Sequence, residues 1–300
     1  MAHLGLITTD PASLRGRDPD TAPLAEALRH AGHDVDILIW HDPAVAWEDY
    51  DLLIIRTPWD YSERYAEFMA WLDRAAAVAR VLNAPELIRW NIDKRYLTDF
   101  EAAGIPVVPT TFCDTAEQAA AAIAARAGER VVVKPSVSAG SRDTGLFEPG
   151  DPGALALAVR IVAAGKTAMV QPAVEQVITG GELALFFFAG EYSASFHKGP
   201  ILVPGGGYVG GSYQVSITRG EPSEAEIAFG RRVVAEVAGI AGRRGFGAEA
   251  RVPLYARVDI VAGTEPQVIE VEVFEPAFCT DVLPESVGAF VRAVTARLHH

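Results

Sequence analysis

The sequence predicts an α/β protein: a parallel sheet flanked by helices over residues 1–90, followed by two α+β lobes over 91–172 and 173–300. Three observations carry this. Short apolar, β-branched runs alternate with helix-spaced segments through the first ninety residues. The alternation restarts at Asn91, after a strand-like Arg80–Asn83. From Gly181 the chain turns strongly β, with one helix interrupting it.

In the first unit Leu4–Thr8, Val35–Trp40 and Leu52–Thr57 have strand length and β-branched content. Between the first two, Thr21–Ala31 sets Leu24, Ala25 and Leu28 at helical spacing and stops near Gly32, a residue that closes helices. Tyr61–Val78 repeats the pattern with Phe68, Trp71, Leu72 and Ala75 on one face. Strands separated by helices favour parallel pairing, because each crossover returns the chain to the same end of the sheet.

In the second unit Lys94–Ala103 reads as helix up to Gly104, and Pro106–Thr111 as strand. Asp114 with Glu117 resembles a capping box opening an alanine-rich helix to Ala127. Arg130–Pro135 is a strand ending in Lys134, Ser136–Gly145 a loop, Gly153–Ala164 a helix and Thr167–Gln171 a strand. The β-rich remainder comprises Glu182–Ala189, Glu191–Lys198, Tyr255–Val261 and Gln267–Phe274. Its helix opens at Ser223 and Glu226, a second capping box, and runs to about Ala238.

The 300 residues carry 26 basic and 39 acidic side chains, a net charge of −13, which argues against nucleic acid or an anionic membrane as the main partner. Half the residues are hydrophobic and 22% charged, a balance that excludes a largely disordered chain. Two cysteines, Cys113 and Cys279, are too few for a disulfide framework, and no CxxC pair marks structural zinc. The longest apolar runs, such as Leu183–Gly190, fall far short of the ~20 residues of a membrane helix. The N-terminus lacks the basic-then-apolar layout of a signal peptide. A soluble, cytoplasmic protein is expected.

Two motifs mislead. Gly205–Gly210 satisfies G-x-G-x-x-G, but Pro204 precedes it and Gly211–Val215 reads as a turn and then a strand, so no helix N-terminus follows to receive a pyrophosphate. It reads as a mobile glycine loop. Gly165-Lys166-Thr167 mimics the end of a Walker A loop, yet follows a helix instead of opening one, and Lys166 is expected to interact with that helix's dipole.

The C-terminal segment is more informative. Period-2 alternation puts Arg257 and Asp259 on one face of their strand, and Glu270 and Glu272 on one face of the next. Val258, Ile260, Ile269, Val271 and Val273 make the other face core. If the strands pair as a hairpin, three carboxylates and a guanidinium meet. These are either solvated charges on a half-exposed sheet or a cation site. Clustered carboxylates repel unless a cation is present, and oxygen-only ligands suit Mg²⁺. Glu275, an odd number of residues beyond Glu272, is expected to point away.

Lys134 ends a buried-looking strand, where an ammonium is unfavourable without an anion. The small residues of the loop Ser136–Ser141 let backbone amides approach such an anion. Lys94 opens a helix at a second candidate position. The competing readings are a surface lysine for Lys94 and a strand-end lysine reaching water for Lys134.

Taken together, Asp93–Leu97, Val131–Pro135, Val170-Gln171-Pro172, Gly181-Glu182, Arg257–Asp259 and Glu270–Glu272 resemble, in order and spacing, the ATP-grasp superfamily. The resemblance covers nearly the whole chain. It implies a preATP-grasp α/β domain over 1–90, a central ATP-grasp lobe over 91–172 and a C-terminal lobe with the metal site over 173–300. It also implies Lys94 and Lys134 on the ATP phosphates, with Ser136, Ser138, Ala139, Gly140 and Ser141 closing over them. Gln171 and Val174 then read the adenine edge, Glu182 binds ribose, and Asp259, Glu270 and Glu272 hold two Mg²⁺ ions. Many members have Glu-x-Asn where this chain has Glu270-x-Glu272. Gln171 likewise stands where glutamate is common. Within the superfamily, Arg56–Trp59, Arg89-Trp90, His197–Gly199 and Glu270–Pro276 are similar to the D-cycloserine synthetase family, whereas Ser136–Asp143 and Gly205–Gly211 depart from it.

This resemblance implies an ATP-dependent carboxylate–amine ligase of natural-product biosynthesis, working through an acyl phosphate on small-molecule substrates, with a homodimer as the common assembly of such ligases. Arg257 is then expected on the tetrahedral oxyanion, Lys198 on the transferred phosphate or substrate, and Arg56, at a strand's C-terminal end, on a substrate carboxylate. His197 reads as structural. Alternatives are an intermolecular amino-acid or peptide ligase, a small-molecule kinase, and an ATP-binding protein without turnover.

Overall fold

The computed structural model describes residues 1–14, 16–205, 207 and 215–298. Among them the strands form three sheets. The first joins β1 (His3–Thr8), β2 (Asp34–Ile39), β3 (Leu52–Thr57) and β4 (Val81–Leu82) in the order β2–β1–β3–β4, all parallel. Alternation sorts its two faces. Leu4, Leu6 and Ile54 pack under helix Thr21–His30, whereas Ile7, Leu53 and Ile55 pack under helix Tyr65–Val78. Both helices bury the faces that their spacing predicts.

The second sheet is antiparallel, in the order β5 (Thr111–Cys113), β8 (Ala168–Pro172), β6 (Val131–Pro135), β7 (Gly145–Phe147). The third, also antiparallel, runs β11 (Ile217–Arg219), β10 (Glu191–Lys198), β9 (Glu182–Phe188), β12 (Tyr255–Val261), β13 (Gln267–Glu272). The core does not follow chain order. The last helix, Glu285–Leu298, which sequence patterning did not place, packs against helix Thr21–His30 and the third sheet, its Phe290 ring meeting Phe188 and Tyr255.

Three local expectations are corrected. Pro106–Thr110 is a connector and the strand begins only at Thr111: Pro106 and Pro109 lack amide donors, and within the connector only Val107 forms a bridge, to Val268. The first capping box lies one residue later, with the Thr115 side chain taking the Gln118 amide and Gln118 returning to Thr115. Lys166 does more than end a helix, because its ammonium donates to the Ser62 carbonyl of the first lobe at 3.0 Å. Most of Gly205–Gly211 lies outside the described residues. Among the described residues no helix is long and apolar enough to cross a membrane.

One buried acid ties the termini of the fold together. Asp20, fully buried, accepts hydrogen bonds from the backbone amides of Phe278, Cys279 and Thr280 at 2.7–3.2 Å. Asp20→Ala would strand three amides away from water, so a loss of about 3 kcal/mol in chemical denaturation is predicted. A loss below about 0.5 kcal/mol would contradict it.

Candidate active site

A cleft of about 630 Å³ opens between the second and third sheets, with residues of the first lobe at one end. The strand pair β12–β13 builds its acidic wall. In register, Arg257 faces Glu272 and Asp259 faces Glu270, so the hairpin inferred from alternation is present. One carboxylate oxygen from each of Asp259, Glu270 and Glu272 lies within 4.8 Å of the others. All-oxygen donors at this spacing fit a hard divalent cation.

Cations hold these acids. Lys94 Nζ lies 3.0 Å from Glu270, and Lys198 Nζ lies 2.7 Å from Asp259 and 2.9 Å from Glu182. Arg257 donates from Nε to Asp259 at 2.8 Å and from Nη2 to Glu272. Asp259 is wholly buried beneath Lys198 and Arg257. Burial disfavours its charge, but Arg257 and Lys198 overcome that and hold the carboxyl at about 2. Burial likewise works against Glu270, and Lys94 and Lys134 keep it below its usual range. Glu272 goes the other way. Burial, reinforced by Glu270 and Asp259, lifts it to about 7 against the pull of Arg257.

Lys134 projects from β6 into the cleft. Of the three cleft lysines it alone has no ion pair among the described residues, and burial pulls its ammonium downward, only partly offset by Glu270. Ser138, Ala139, Gly140 and Ser141 line the cleft beside it. Ser136 does not: it is a buried anchor, its amide on the Thr167 carbonyl and its carbonyl taking the Lys94 amide. Gln171, Val174, Val177, Ile178 and Leu202 also line the cleft and make that stretch of its lining largely apolar, while Glu182 stands beside Lys198. The Gln171 amide nitrogen donates to Thr110 at 2.7 Å.

Arg56 requires a correction. It is fully buried, its guanidinium carbon 3.7 Å from the centre of the Phe278 ring, and it does not line the cleft. A ligand carboxylate therefore has no path to it, and the residue holds structure by donating to the Pro276 carbonyl at 2.9 Å. Glu275 is the opposite error. The parity argument turned it away, but the strand ends at Glu272 and the following turn swings Glu275 into the cleft wall. Trp59, also missed, lines the same end. The available signal was a polar and aromatic run, Thr57–Tyr61, leaving the C-terminal end of a parallel strand.

The comparisons agree with this architecture. Residues 4–83 match the family model described as D-cycloserine synthetase DcsG, N-terminal domain. The cycloserine biosynthesis protein DcsG of Streptomyces lavendulae is 35% identical over 308 residues, 99% of each chain. The crystal structure of D-cycloserine synthetase DcsG superposes with a TM-score of 0.87 at 32% identity, again covering 99% of both chains. D-alanine–D-alanine ligase from Bacillus anthracis, complexed with ATP, shares the fold at a TM-score of 0.63 and 11% identity, over 98% of this chain and 95% of that one. The fold, the acidic hairpin facing three lysines and the full-length similarity place the chain in the D-cycloserine synthetase family, as an ATP-grasp enzyme and an ATP-dependent carboxylate–amine ligase.

Proposed function

We propose that the enzyme activates the carboxylate of a small amino-acid substrate with ATP and closes it onto a side-chain nitrogen of the same molecule, distinct from the α-amine, as a cyclo-ligase of the O-ureido-D-serine type. The observation that carries this is the convergence of Glu270 and Glu272 with Lys94, Lys134 and Lys198 on one cleft, with a carboxylate oxygen of the buried Asp259 within 4.8 Å of theirs. Asp259, Glu270 and Glu272 would hold two Mg²⁺ ions, which would supply neutralisation of the triphosphate charge. Lys94 and Lys134 hold the phosphates, under the Ser138–Ser141 loop that Ser136 anchors. Gln171 and Val174 meet the adenine, and Glu182 takes the ribose hydroxyls.

With the phosphates held, the substrate carboxylate attacks the γ-phosphorus, giving an acyl phosphate and ADP. The side-chain nitrogen then forms its bond to the carbonyl carbon, phosphate leaves, and that nitrogen gives up a proton. Arg257 faces the oxyanion of the intervening tetrahedral species, where a fixed guanidinium acts with little reorganisation. Lys198, released from Asp259, contacts the transferred phosphate. No side chain forms a covalent bond to substrate.

The test is ADP release across a panel of amino acids, O-ureido-D-serine and short peptides, with hydroxylamine as a trap. Carboxylate-dependent ADP release with hydroxamate formation is expected. A phosphorylated product without hydroxamate would instead make the protein a kinase, and tight ATP binding without turnover would remove catalysis altogether.

A further inference from the structure

One short stretch of the first lobe grips the segment that follows β13. Arg56 donates to the Pro276 carbonyl at 2.9 Å, and the Trp59 indole donates to the Glu275 carbonyl at 3.0 Å. The Tyr61 hydroxyl donates to Glu275 Oε1 at 2.8 Å. Just beyond, Asp20 fixes the amides of Phe278, Cys279 and Thr280. Five of the six residues from Glu275 to Thr280 are thus clamped, and the one carboxyl among them, that of Glu275, reaches the cleft.

Its surroundings set it apart from the other acids there. Glu182, Asp259, Glu270 and Glu272 each have a lysine or arginine within ion-pair distance. Glu275, only 8% exposed, has none among the described residues. Burial, with Glu272 nearby, pushes its carboxyl well above the usual range. A carboxyl so placed is unfavourable for the empty protein unless a cation arrives from outside. The place is also close to the phosphate loop: the Tyr61 hydroxyl lies 3.3 Å from the Ser138 carbonyl, to which the Lys94 ammonium donates at 3.2 Å.

We propose that Glu275 seats the ammonium group of an α-amino-acid substrate, so that the cleft selects carboxylates carrying a neighbouring amine. Arg56, Trp59 and Tyr61 are its positioning residues. The inference rests on the ligase reading and adds the substrate's second handle to it.

The experiment compares kcat/KM for ADP release with D-serine, D-alanine and O-ureido-D-serine against their des-amino counterparts. The parent enzyme is expected to favour an amine-bearing compound by about tenfold or more. Glu275→Gln lowers that ratio about tenfold, chiefly through the KM of the amine-bearing compound, whereas a merely structural role would lower both compounds alike. Tyr61→Phe keeps the carboxyl but frees it, and lowers the ratio about threefold; it decides the matter if Glu275→Gln fails to melt cooperatively. An unchanged ratio in the folded variant overturns the seat. A parent that uses both compounds of each pair equally overturns the seat and leaves the ligase reading standing, and a parent that releases ADP with none of these carboxylates overturns both.

Discussion

Glu270→Gln is expected to abolish Mg²⁺-dependent ADP release, lowering kcat by about a thousandfold or more. The substitution keeps the side chain's size and one acceptor oxygen, so packing on β13 changes little. It removes the negative charge at the centre of the Asp259–Glu270–Glu272 group and the partner of Lys94 at 3.0 Å. Both losses act on the charge that develops during phosphoryl transfer, where fixed counter-charges have their largest effect. Steady-state ADP release beside a thermal melt checks it. A folded variant with near-normal turnover would remove the metal assignment.

Lys134→Ala is expected to weaken nucleotide binding by about 10- to 100-fold, the equivalent of a lost charge-assisted bond to phosphate. The same change should leave the empty protein's melting temperature unchanged or slightly higher. In the empty cleft the Lys134 ammonium is desolvated with no carboxylate within ion-pair reach among the described residues, so its removal relieves strain on the free protein. Lys94 and Lys198, held by Glu270 and Asp259, do not share this signature. Calorimetry with ATP and Mg²⁺ measures the affinity; unchanged affinity rejects the phosphate role.

How much of this was legible beforehand depended on which physical rule governed each residue. Strict alternation through Arg257–Asp259 and Glu270–Glu272 fixed both faces of β12 and β13, and the observed register pairs the residues that the hairpin requires. The parallel sheet was legible for the same reason, its strands and helices each carrying one clean period. Alternation says nothing once a strand ends, which is why Glu275 was turned the wrong way. Arg56 was misread because strand-end position locates a residue without telling its depth, and here the chain's own segment Pro276–Phe278 covers it. The final helix and β11 went unplaced because each is stabilised by partners far away in sequence, Phe290 against Phe188 of the third sheet and Thr218 opposite His197.

The most direct measurement is a crystal structure grown with Mn²⁺ and a non-hydrolysable ATP analogue, read by anomalous scattering. The account predicts two metal peaks among Asp259, Glu270 and Glu272, with Lys134 on the phosphates and the Lys198 ammonium displaced from Asp259. Metal bound elsewhere, or a triphosphate lying beyond the reach of Lys134, would contradict it.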